Sequence, residues 1–383
     1  KGKQWWLYDG HGKWNPVDDE WIYQLATAEL EDSVQISASG FLDRAIRFAK
    51  GKLMVQEWVE ADNARYLPFK DGVLDIRSMA IEPHSPDFRL TWQLPRDYTT
   101  DDSNWGSIDK FLTTLANNDP ELKLVAIAYC NAVLKGRSDL HKALYLFGSG
   151  ANGKSVYLDL LEMLVGAENT HPTNMPQLNQ NRFETANIKG KRLVVMPDED
   201  KYSGGVGVFK SITGGGMANC EHKNKQSSSF RFSGMVVIAA NRPTFLGNSD
   251  GGVSRRIVSF PCNHVIAPKD RRDLTSEFKL ELSAFTQHLL SMNDSDVKAI
   301  IDNAKTIASV KELTEDLATR GNSIAAFYHE MMQPSGSGEK LYTGTLFQAY
   351  AEYCQHAGAG AKNRNNFTPD LVDYCNSLDG LVV

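Results

Sequence analysis

Lys154 and Ser155 stand near the end of the stretch LFGSGANGKSVYL, residues 146–158. With Gly148 and Gly153 they fit the pattern G-x-x-x-x-G-K-[ST]. The chemistry of that pattern is phosphate binding. Glycines let backbone N–H groups approach phosphate oxygens, and the N-terminus of the following helix adds partial positive charge. The cradle would run from Gly148 through Ser149, Gly150, Ala151, Asn152 and Gly153 to Lys154, Ser155 and Val156. Lys154 would reach the β- and γ-phosphates, and the Ser155 hydroxyl would ligate Mg²⁺. ATP and Mg²⁺ are therefore the expected cofactors. The plainer alternative, a glycine-rich turn with an exposed lysine, does not account for the apolar run ALYLF before the loop. Nor does it account for the helical spacing of Val156, Leu160, Leu161 and Leu164 after it.

Such a loop needs an acidic partner on a neighbouring strand. KRLVVMPDED supplies one, a basic start and an apolar run ending in Asp198, Glu199 and Asp200. Asp198 is suited to the Mg²⁺ shell and Glu199 to polarising an attacking water, with Asp200 a competitor for the second role. A second apolar run, MVVIAA, ends at Asn241, whose amide could orient water near a γ-phosphate. GGVSRRIVSF then places Arg255 and Arg256 just before another strand. An arginine reaching a neighbouring subunit's γ-phosphate is worth about 10³–10⁵ in rate. On their own, the two arginines read more simply as a solvated basic pair.

These residues require an α/β scaffold. ALYLF, VVM and MVVIAA are short apolar runs separated by helices and loops, the pattern of a mostly parallel sheet covered by helices. Residues 1–105 are rich in aromatics and short extended runs, such as WWLYDGHGKW and LPFKDGVLDI, and read as a mixed α+β domain. Tryptophans there could stack on bases, but buried packing is the better use of them. Residues 106–140 have helical spacing and form a collar, 141–304 carry the ATPase pattern, and 305–383 are helical again. Pro334–Gly338 and AGAGAKNRNN read as loops.

Composition narrows the class. At 42% hydrophobic and 23% charged, the 383 residues are ordinary for a globular protein, and no apolar run approaches the roughly 18 residues of a membrane span. Five scattered cysteines with no CxxC pair argue against a disulfide framework or a zinc site, and for a reducing compartment, expected to be cytoplasm. A net charge of −6 excludes a uniformly basic nucleic-acid glove but not a few lysines on one loop. The sequence opens on Lys1, so a longer parent with a preceding domain is expected.

Taken in order, these motifs resemble superfamily 3 helicases, the ring-forming replicative helicases of small DNA viruses, phages and plasmids. The closer resemblance is to the phage and plasmid primase-helicases and the poxvirus primase-helicase. FGSGANGKS, GKRLVVMPDED, KSITGGG, NRPTF and DGGVSRRIVSFP carry it, and YDGHGKW, LPFKDGVLDI and EPHSPDFRLT extend it towards the N-terminus. IAAFYHEM…LYTGTLFQAYAEYCQHAG resembles the family's winged-helix tail. There are departures. Gly214-Gly215 is followed by Gly216 where an acidic residue is usual, and Asp71-Gly72 replaces asparagine-glycine.

The resemblance implies an AAA+-like core, a hexameric ring with ATP between subunits, and an arginine finger that falls on Arg256 before Arg255. It also implies a pore hairpin, here MANCEHKNKQSSSFRF, that grips DNA through His222, Lys223 and Lys225. The function implied is ATP-dependent translocation on single-stranded DNA and unwinding of forks in the host cytoplasm during viral, phage or plasmid replication. Primase or polymerase chemistry is expected on the preceding part, because the adjacent pairs Asp18-Asp19 and Asp101-Asp102 sit in loop-like sequence, poorly suited to two-metal chemistry. Two other classes remain: a P-loop kinase of small molecules, for which no acceptor motif is evident, and an ATP-switched DNA-loading module without unwinding.

Overall fold

The short aromatic runs at the N-terminus pair as hairpins. Strand β1 (Trp5–Tyr8) lies antiparallel to β2 (Trp14–Val17), with Trp5 opposite Val17. Helices α1 (Asp19–Leu30) and α2 (Phe41–Lys52) follow, then a three-stranded meander of β3 (Tyr66–Pro68), β4 (Val73–Asp75) and β5 (Ala80–Glu82). The computed structural model describes residues 4–377 except 31–39, 56–57, 60–61, 63–64, 100–103, 222–226, 246–250, 334–340 and 358–359. The chain forms two units, the first holding Lys1–Thr99 and the second Thr100–Glu221 with Ser229–Val383.

In the first unit the aromatics are spent on packing. Trp6 stacks on Trp58 at 5.3 Å, Trp14 meets Trp58 edge-on at 5.2 Å, and Trp92 is buried beside Leu90 and Leu94. The Asp71-Gly72 pair forms the turn between β3 and β4.

The second unit opens with α3 (Gly106–Leu115) and α4 (Pro120–Lys135). Asp119 caps α4 by accepting from the N–H groups of Glu121 (2.9 Å) and Leu122 (3.1 Å), and Pro120 occupies the first helical position, where no N–H is needed. Then come β6 (Ala143–Phe147), α5 (Lys154–Val165), β7 (Thr170–Pro172), α6 (Met175–Gln180), α7 (Glu184–Ile188), β8 (Leu193–Glu199) and α8 (Gly207–Thr213). A hairpin of β9 (Met217–Cys220) and β10 (Ser228–Arg231) precedes β11 (Met235–Ala240), α9 (Gly251–Ser254) and β12 (Ile257–Pro261). Helices α10 (Thr275–Ser291), α11 (Asp294–Asn303), α12 (Ala308–Gly321), α13 (Ser323–Met331), α14 (Thr343–His356) and α15 (Arg364–Ser377) complete the chain.

Five strands form one parallel sheet in the order β12–β6–β11–β8–β7. Every residue of β11 is buried, as a parallel strand covered on both faces requires. Each such Val or Ile contributes about 1.5–3 kcal/mol of burial. One face packs Tyr145, Met196, Val236 and Ile238 against Met175, Leu178, Phe209 and Ile212 of α6 and α8. Helix α5 covers the other face. Its buried apolar residues are Tyr157, Leu158, Leu160, Leu161, Leu164 and Val165, whereas Val156, expected on the apolar stripe, is half-buried. Tyr157 is tied to the preceding helix instead, its hydroxyl donating to the Ala126 carbonyl of α4 at 2.8 Å.

From 305 on, the described residues contain helices and no strand. Phe327, Tyr350, Cys354, Phe367 and Leu371 form a separate small core between α13, α14 and α15. The stretch AGAGAKNRNN, read as loop, is helical from Arg364, because the Asn363 side chain caps α15 by accepting from Asn366 N–H at 3.0 Å.

Candidate functional site

The chain goes from β6 to β7 and β8 on one side of the sheet and later adds β12 on the other, so the order reverses at β6. In open α/β sheets, ligand crevices lie outside the carboxyl ends of strands at such a point. The registers place Pro261, Phe147, Ala240 and Glu199 in one row at that edge. Gly148 and Asn241, one residue further on, therefore share the edge with Glu199. The structure thus brings together the glycine-rich loop, the acidic strand end and Asn241.

The loop rises from β6 and enters α5 at Lys154. Gly153, φ +87°, makes the entry in a backbone conformation that a side chain would strain. Ser149, Gly150 and Ala151 are exposed, as is Ser155 at the start of α5. Lys154 turns inward: its ammonium donates to the carbonyls of Gly148 (2.8 Å) and Ser149 (2.9 Å) and to Asn152 Oδ1 (3.0 Å). Burial holds its pKa below the usual lysine value, with the Cys262 thiol and Asp198 carboxylate pulling the other way. Asn152, also buried, donates from Nδ2 to the Cys262 carbonyl at 2.6 Å. One amide thus ties the loop to the end of β12 while holding the lysine. Replacing Asn152 by alanine should cost about 1–3 kcal/mol, because it leaves a buried carbonyl unsatisfied. Urea unfolding checks this, and an unchanged midpoint would remove the clamp from the account.

At the acidic end, the β8–β11 register shifts between Ile238 and Ala240, and Asp198 takes φ +51°. This bulge leaves Asp198 exposed and Glu199 buried, while Asp200 is exposed. Glu199 Oε1 accepts from the Met175 N–H at 2.8 Å. Burial, and then the charge of Asp200, push its carboxyl above the usual range, opposed by the Met175 bond. A carboxyl raised this way is suited to exchange protons nearer neutrality than an exposed one. Sequence reasoning missed the Met175 anchor, and no local pattern encodes it.

Arg255 and Arg256 lie elsewhere. They precede β12, at the opposite edge of the sheet, about 16–20 Å below its carboxyl end at about 3.3 Å per residue. Arg255 is exposed and its carbonyl accepts from Lys142 Nζ at 2.8 Å. Arg256 donates to the Gly252 carbonyl and lies so close to Gly214 that a Cβ there would fall 2.6 Å from its Nη2. His222, Lys223 and Lys225 lie outside the described residues.

Mg²⁺ fits the groups at the loop. Among the described residues, no three His, Cys, Asp or Glu side chains cluster as a metal cage. Mg²⁺ is typically held by one or two protein oxygens together with phosphates and water. The exposed Ser155 hydroxyl and Asp198 carboxylate are such oxygens.

Two family models match the chain. One, described as D5 N terminal like, matches residues 1–116. The other, a family of unknown function (DUF5906), matches residues 146–256, a span that includes the loop, the acidic strand end and both arginines. The chain is 31% identical over 125 residues to the uncharacterized mitochondrial protein ymf21 of Marchantia polymorpha, covering 29% of this chain and 68% of that protein. It is 25% identical over 212 residues to a protein of Acanthamoeba polyphaga mimivirus named as a putative helicase, covering 52% of this chain and 22% of that protein. The apo C-terminal region of NrS-1 shares the fold, with a TM-score of 0.56 over 97% of this chain and 89% of that one, at 12% identity.

Fold and site together define an α/β protein with a five-stranded parallel sheet, preceded by a D5 N-terminal-like domain. Within that class, the chain belongs to the same family as the ymf21 protein of Marchantia polymorpha. No described helix is long and apolar enough to cross a membrane.

Proposed function

We propose that this chain is the helicase part of a viral or phage type replication protein related to primase-helicases. It would hydrolyse ATP at the Gly148–Val156 loop and use the energy to move single-stranded DNA through a homo-oligomeric, hexameric ring.

 The observation that carries the reading is the division of labour across the sheet. Lys154, Ser155, Asp198, Glu199 and Asn241 gather at the carboxyl edge, and Arg256 sits at the other. Supporting it are the D5 N-terminal-like domain, the low-identity similarity to a mimivirus protein named as a putative helicase, and the order of loop, acid and arginine along the chain.

In this reading, the loop N–H groups from Gly148 to Val156 bind the phosphates, and Lys154 leaves its three acceptors for the β- and γ-oxygens. Ser155 and Asp198 would hold Mg²⁺, which when bound would supply charge neutralisation at the phosphates. Glu199 takes the proton of the attacking water, and Asn241 orients that water. Measuring ATP turnover with and without single-stranded DNA, together with unwinding of a forked duplex, tests the proposal. A chain that binds ATP but turns none over with DNA present would instead be a switch.

His222, Lys223 and Lys225 are the proposed DNA grip. Each lysine on a single-strand phosphate contributes about 0.7 to the salt slope of affinity. Lys223→Ala with Lys225→Ala should therefore lower that slope by about 1.4 in a fluorescence anisotropy titration with oligo(dT). An unchanged slope would remove these lysines from the DNA path.

A further inference from the structure

The Glu199 carboxylate is not isolated at its strand end. Its bond to Met175 N–H attaches it to the first residue of α6. At the other end of this helix, Asn179 donates from Nδ2 back to the Met175 carbonyl at 3.0 Å. Its Oδ1 accepts from the N–H groups of Val208 (3.1 Å) and Phe209 (3.3 Å), two of the donors that the first turn of α8 leaves without helical partners. The side chains repeat the connection, because Met175 and Leu178 of α6 share one buried cluster with Phe209 and Ile212 of α8. Close-packed protein interiors have low compressibility and transmit strain.

Helix α8 ends where two further parts of the proposed motor begin. Gly216 N–H donates to the Ser211 carbonyl at 2.9 Å, joining the helix to the residue before β9 of the hairpin. Gly214, one residue past α8, is the glycine against which Arg256 lies.

We propose that α6 is a relay and Asn179 its positioning residue. Whether Glu199 holds Met175 N–H or turns towards the loop sets the position of α6. Asn179 passes that position to α8, and α8 passes it to the base of the hairpin and to Arg256. The inference rests on the reading of Glu199 as the group that faces the attacking water. By reciprocity, DNA on the hairpin would in turn bias Glu199, giving DNA-stimulated hydrolysis.

The test uses the full chain. Asn179→Leu should leave ATP affinity and turnover without DNA close to wild type. The stimulation by oligo(dT), about 5- to 150-fold for a coupling of ordinary size, should collapse to about onefold. Asn179→Asp, which keeps the acceptor for Val208 and Phe209, should restore most of it. Full stimulation in Asn179→Leu would overturn the proposal. Amide hydrogen exchange on wild-type protein gives a second reading that needs no variant to fold. Adding a non-hydrolysable ATP analogue should change exchange at Met175, Val208 and Phe209 together. A change at Met175 alone, or at none of them with analogue bound, would overturn the relay. Failure of the analogue to bind would instead overturn the nucleotide-site reading.

Discussion

Lys154→Ala should lower ATP turnover by about 10²–10³-fold and abolish unwinding of a forked duplex. That is the loss, about 2.7–4 kcal/mol, seen when one preorganised charge-stabilising donor is removed from an enzyme. The ammonium is enclosed by the loop, with three acceptors at 2.8–3.0 Å for its three N–H groups. Two of those acceptors are carbonyls of the loop that would cradle the phosphates, so the lysine has only a short way to move. Burial already disfavours the charge, and phosphate oxygens would compensate it better than carbonyls do. Lys154→Arg should not rescue turnover, since a planar fork does not match three acceptors arranged about a point charge. Thermal unfolding separates this loss from misfolding. A Lys154→Ala protein that still hydrolyses ATP at the wild-type rate would end the assignment of the loop.

Much of this site was legible because its parts are local. ALYLF, MVVIAA and IVSFP are buried parallel strands, and such strands appear in sequence as unbroken apolar runs. The loop is contiguous, so Gly148 to Ser155 declare themselves. What the sequence concealed is what depends on distant partners. Nothing near KRLVVMPDED indicates that a bulge turns Asp198 outward and Glu199 inward, or that Glu199 caps a helix starting at Met175. Asn152 sits in plain view within the motif, but its clamp is made to Cys262, 110 residues away. The edge strand β7 is three residues long, too short to show a period.

Strand order was equally hidden, and it bears on how the proposed arginine finger would act. Arg256 precedes β12, which pairs with β6 along its length, from Ile257 opposite Ala143 to Pro261 opposite Phe147. The glycine-rich loop leaves one end of that pair and Arg256 stands at the other. The separation is about 16–20 Å along the strands. Its guanidinium is directed towards Gly252 and Gly214, away from the loop of its own chain. In the proposed ring, an arginine so placed would serve the γ-phosphate of a neighbouring copy. Arg256→Ala should therefore lower turnover of the assembled protein by about 10³–10⁵-fold while leaving ATP binding to the isolated chain unchanged. Arg255→Ala, at an exposed side chain, should lose far less. The decisive measurement mixes two inactive proteins. An interface between Arg256→Ala and Lys154→Ala chains can combine an intact loop from the first with an intact arginine from the second. Equal mixtures should regain turnover that neither protein has alone, and the gain should rise with total protein concentration. Mixtures that stay inactive while forming mixed oligomers would show that Arg256 does not act across an interface.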